Sequence, residues 1–77
     1  MTRDAKVRQV MAVVLDVPER DIGPGFSSSS VSTWDSIGHR NLVMAVEEAF
    51  GVTFSSDQIA TLDSYDAIVQ AIASLQA

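Results

Sequence analysis

Asp35, Ser36 and His39 are the residues whose types and spacing most readily suggest chemistry. A serine beside a carboxylate and three residues before an imidazole has the ingredients of a nucleophile, a base and an orienting acid. The arrangement departs from a hydrolase in two ways. A nucleophile elbow needs Gly two residues before the serine, and Trp34 stands there. A triad needs the acid on the far side of the imidazole, whereas Asp35 adjoins the serine in the chain. A metal site fares no better. Asp35 and His39 could share a helix face, but His39 is the only histidine and there is no cysteine. Structural zinc takes four ligands, so no metal is expected here.

A third chemistry needs only the hydroxyl. Asp35 has the character of an N-cap, which puts Ser36 in the first turn of a helix. The N–H groups of a first turn lack partners within the helix and the dipole there is positive. A phosphate ester on Ser36 would therefore sit in an anion-favouring place. Plain capping is the ordinary role of an Asp-Ser pair before a helix, and these two residues alone leave both roles open.

The elements that must position Ser36 are helical. Val7, Val10, Met11, Val14 and Leu15 repeat at three- and four-residue spacing and predict a first helix over Arg3 to Leu15. Thr2 is its expected N-cap, and Pro18 prevents its continuation. Residues 16–35 contain Pro18, Gly23, Pro24, Gly25 and four consecutive serines, and predict a long loop. Val17, Ile22, Phe26, Val31 and Trp34 are spaced through it as apolar anchors. A second helix is expected from about Ser36 to Phe50, with Gly51 as its left-handed stop. Ser55-Ser56-Asp57-Gln58 has capping-box spacing and starts a short third helix. The last helix is expected from about Ser64 to Gln76, capped by Asp63 or Ser64. Tyr65, Ile68, Val69, Ile72 and Leu75 form its expected buried stripe. No segment alternates like a strand. The expected fold is all-α, a single domain over residues 1–77 built as a four-helix bundle with a long first loop.

Composition narrows the function classes. A chain of 77 residues buries only roughly 60% of the surface its unfolded form exposes, which disfavours a deep active-site cleft. Ten acidic residues against five Lys and Arg repel nucleic acid and favour basic partners. No apolar run approaches the roughly 20 residues that span a bilayer. The absence of cysteine agrees with a reducing compartment. The expectation is a soluble cytoplasmic monomer that is not an enzyme.

On a wheel of about 100° per residue, the second helix separates into two sets. Leu42, Val43, Val46, Ala49 and Phe50 form the core face. Ile37 and Met44 point away from it, sharing an outer stripe with Arg40, Asn41 and Glu48, with Glu47 beside them. An adaptable Met in a polar stripe suits docking, although single exposed apolar residues are also ordinary.

Asp35-Ser36-Ile37, the segment Asn41 to Gly51, Val14 to Glu19 with Ile22 upstream, and Phe54 to Ile59 and Leu62 to Ile72 downstream together resemble the acyl carrier protein family. The likeness covers nearly the whole chain, with Asp35-Ser36-Ile37 in the place of that family's Asp-Ser-Leu signature. It implies that Ser36 carries a 4′-phosphopantetheine arm, with Asp35 as the flanking acid. It also implies that a separate Mg²⁺-using phosphopantetheinyl transferase adds the arm from coenzyme A. Acyl- or aminoacyl-loading enzymes and condensing or transferring enzymes are the further partners. The face they would read includes Ile37, Met44, Glu47 and Glu48, with Arg40 in its midst. Three departures stand out. Ile37 replaces Leu. Gly38 either loosens the first turn or permits a close approach. His39 and Arg40 stand where fatty-acid-type carriers are acidic or apolar, and Arg40 disfavours partners built for a uniformly acidic helix. The expectation is therefore a polyketide or nonribosomal-peptide type of pathway. Primary fatty-acid synthesis is the alternative, and an arm-less interaction module with this fold is the alternative of another class.

Overall fold

The computed structural model describes residues 3–76. Four helices follow in order: α1 (Arg3–Leu15), α2 (Ser36–Phe50), α3 (Ser56–Thr61) and α4 (Tyr65–Gln76). The all-α expectation is met, and among the described residues the only strand-like pairing is an isolated bridge between Ser27 and Ser64. Among the described residues, no helix is long and apolar enough to cross a membrane. The expected cap at Thr2 lies outside the described residues.

Local chemistry sets the ends of these helices. Asp16 leaves α1 in the left-handed conformation (φ 57°), and Val17 N–H closes onto the Ala12 carbonyl at 3.1 Å. That is a Schellman closure on a non-glycine residue, which a short polar side chain tolerates. Asp35 Oδ1 accepts from Gly38 N at 2.8 Å, and Gly51 ends α2 at φ 66°. The capping box of α3 is complete: Ser55 Oγ accepts from Gln58 N, and Gln58 Oε1 accepts from Ser55 N. Of the two candidate caps for α4, Ser64 does the work, accepting from Ala67 N at 3.1 Å.

The core joins all four helices and the long loop. Val7, Met11 and Leu15 of α1 pack with Leu42, Val43 and Val46 of α2 and with Tyr65, Ile68 and Ile72 of α4. Full burial of one such side chain contributes about 1.5–3 kcal/mol, so these stripes set the helix orientations. Of the loop anchors, Ile22, Phe26 and Trp34 are buried, while Val17 and Val31 are partly buried against the core. The loop is less irregular than expected: it contains a 3₁₀ turn at Glu19–Asp21. Its far end is pinned by Tyr65 N–H to the Phe26 carbonyl and by Thr33 Oγ1 to the Leu15 carbonyl. One core assignment is corrected. Leu75 is 41% exposed; it lies in the last turn of α4, beyond Ile72, where the stripe outruns the core.

Candidate functional site

Ser36 is the first residue of α2 and is exposed. Its hydroxyl has no hydrogen-bond partner among the described residues, unlike those of Ser27, Ser29, Ser30, Ser55 and Ser64, which bond within their own turns or caps. Asp35 is extended (φ -92°, ψ -166°) and turns its carboxylate back over the first turn. The Asp35 carbonyl accepts from His39 N at 2.8 Å. The Ser36 hydroxyl thus leaves the end of a 15-residue helix whose leading N–H groups create a positive end. Ser56 also opens a helix, but α3 has only six residues and the residue before it is serine.

Ser36 lies at an open cleft between the loop, the start of α2 and α3. Trp34, His39, Ile59 and Ala60 line it with Asp35, Asp63 and the serines at 28 and 56. Trp34 and His39 build its wall. Trp34 Nε1–H donates to His39 Nδ1 at 3.0 Å, which leaves the other ring nitrogen, Nε2, to carry a proton and donate to the Ile59 carbonyl at 2.8 Å. The two rings stack at 6.3 Å, and Phe26 stacks behind Trp34 at 6.0 Å. His39 therefore ties the loop and α3 to the second turn of α2. Both its nitrogens are occupied, so it offers no lone pair to a metal and is not poised toward the Ser36 hydroxyl.

Gly38 permits a close approach. A Cβ built at Gly38 would run into the Thr33 carbonyl oxygen and lie 3.3 Å from Asp35 Oδ1. The loop can cross so near α2 only because no side chain is there.

The outer stripe of α2 is partly as the wheel suggests. Ile37 is 72% and Met44 59% exposed, and Arg40, Asn41 and Glu48 are exposed with them. Glu47 differs: it is half-buried, and its Oε2 accepts from Phe54 N at 2.8 Å. It braces the turn after α2, which turns one carboxylate oxygen away from the outer stripe. The Trp34–His39–Ile59 connection was missed in the sequence; its one signal was a lone histidine five residues after a tryptophan.

A family model described as a phosphopantetheine attachment site matches residues 5–72. No curated protein sequence matches the chain.

Proposed function

The chain belongs to the phosphopantetheine attachment-site family of carrier proteins, and from that premise we propose that Ser36 is the serine that bears the 4′-phosphopantetheine arm. The observation that carries this reading is the exposed, unengaged hydroxyl at the N-terminus of the longest helix. The arm supplies a thiol that holds an acyl or aminoacyl group as a thioester. The chain's own residues do the rest. A phosphodiester on Ser36 would lie at the positive N-terminal end of α2, which would offset its charge and that of the nearby Asp35. Asp35 holds that turn in shape, and Trp34 and His39 would wall the base of the arm. Tethering then raises the cargo's effective concentration at a partner's site without tight protein–protein binding.

A phosphopantetheinyl transferase with coenzyme A and Mg²⁺ is expected to add the mass of one phosphopantetheine group to this protein. Ser36→Ala is expected to remove that addition while leaving the circular dichroism spectrum unchanged. Addition to the Ser36→Ala protein would sink the assignment.

We read residues 1–77 as one monomeric carrier domain of the cytoplasm, serving a polyketide or nonribosomal-peptide type of assembly. Two features of α2 support that pathway class. Arg40 is exposed among Ile37, Met44 and Glu48, and the Glu47 carboxylate is drawn toward Phe54. A partner meeting this face finds a mixed charge pattern, and loading and condensing enzymes built for an acidic helix are disfavoured. Arg40→Glu is expected to raise kcat/KM with a fatty-acid-type condensing enzyme by about tenfold, the effect of removing one like-charge contact of about 1.4 kcal/mol. An unchanged rate would remove the reason for preferring a specialised pathway.

A further inference from the structure

Residues Val10 to Leu15 of α1 are six consecutive apolar residues. At about 100° per residue such a run goes right round the helix, so a surface helix cannot bury all of it. The bundle covers Met11 and Leu15 completely, but Val13 is 82% exposed and Val10 and Val14 are only half-buried. Across from them, α2 presents Ala45 and Ala49, whose small side chains leave an open groove between the two helices. One exposed valine between half-buried apolar neighbours, lining a groove in a chain this acidic, is a surface that a partner can cover.

We propose that this α1–α2 groove is a docking seat for a protein partner that inserts an apolar side chain flanked by Lys or Arg. The apolar floor is Val10, Val13, Val14, Ala45 and Ala49, and the carboxylates on its margin are Glu19 and Glu48. Lys6 is not part of the lining; its ammonium is held by the Ala49 carbonyl at 2.8 Å and lies 4.9 Å from the Phe50 ring centre, which leaves two carboxylates against one neighbouring cation. The groove is continuous with the outer stripe of α2, because Glu48 lines it and follows Met44 by one turn. Charge selects the occupant. A second copy of the chain would bring another formal charge of -5 and the same carboxylates against the groove, and an anionic lipid surface is repelled likewise.

The test uses the arm-loaded protein, ¹⁵N-labelled, and a synthetic amphipathic helical peptide with a Leu stripe and a Lys polar face. A matched Leu/Glu peptide, phosphatidylcholine vesicles and sedimentation of the protein alone run beside it. The Leu/Lys peptide is expected to shift the amides of Val10, Val13, Ala45 and Ala49 saturably. Val13→Ser, at an exposed position that cannot unsettle the core, is expected to weaken binding about tenfold, the scale of one lost apolar contact. Glu19→Lys is expected to weaken it and flatten its salt dependence. Both variants should still accept the arm, so failure here is distinguishable from failure of the Ser36 assignment. Peptide shifts outside the groove, indifference to Val13→Ser, equal binding of the Leu/Glu peptide, a groove-dependent dimer, or vesicle binding in place of peptide binding would each overturn the proposal.

Discussion

Gly38→Ala is expected to destabilise the fold by about 1–3 kcal/mol, the usual cost of forcing an extra methyl into filled space. The sign is informative, because alanine in an unhindered helix interior stabilises by about 1 kcal/mol relative to glycine. Here the new methyl meets the Thr33 carbonyl, a backbone atom that cannot swing away as a side-chain tip can. Thr33 is itself anchored, its Oγ1 donating to the Leu15 carbonyl at 2.7 Å. Relieving the clash means moving the loop off α2, loosening the end of α1, or disturbing Asp35 as cap. Denaturant midpoints would measure the loss, and Gly23→Ala, where a Cβ meets nothing within 4 Å, serves as control. The same displacement moves Ser36 relative to Trp34, so loading by the transferase should slow in Gly38→Ala and not in Gly23→Ala. A Gly38→Ala protein as stable and as readily loaded as the parent would show that the loop gives way freely.

His39→Ala is expected to cost about 2 kcal/mol, from the range for stranding a buried polar group. Trp34 is 5% exposed, and its indole N–H would lose its acceptor. The Ile59 carbonyl loses one donor but keeps Leu62 N–H at 3.2 Å, so less of the cost falls there. What changes most is the attachment of α3, which has six residues and is tied to α2 through this ring. Hydrogen exchange of the α3 amides should accelerate well beyond that of α1 and α4. A double-mutant cycle with Trp34→Phe isolates the indole–imidazole bond from the general loss of packing. Additive single effects, with α3 exchange unaltered, would mean that the ring merely fills space.

These two positions also mark where local reading of the chain stops. Helix ends declare themselves in residues close together, so Asp35, Gly51 and the Ser55–Gln58 box were legible, and α1 and α2 have the bounds their periodicity predicts. Ser36 at the head of α2 belongs to the same class. Gly38 was ambiguous because loosening and close approach call for the same residue, and only the path of Thr33 separates them. His39 was read from its spacing to Ser36, and Glu47 from its angle on the wheel. Their partners are Ile59 and Phe54, on segments whose placement depends on the whole bundle. Leu75 fits the stripe of α4 by angle, and a wheel holds no information on how far along the axis the core extends. In α1 the spaced stripe passes over Val13, and only the packed structure shows which residues of the run from Val10 to Leu15 stay uncovered.

The most direct measurement is fragmentation mass spectrometry of the protein after reaction with a phosphopantetheinyl transferase and coenzyme A. One phosphopantetheine group is predicted, on the peptide containing Trp34-Asp35-Ser36-Ile37, with the fragment series breaking at Ser36. A group found on Ser56 or among Ser27 to Ser30, or wild-type protein left unmodified by several transferases, would contradict Ser36 as the attachment site.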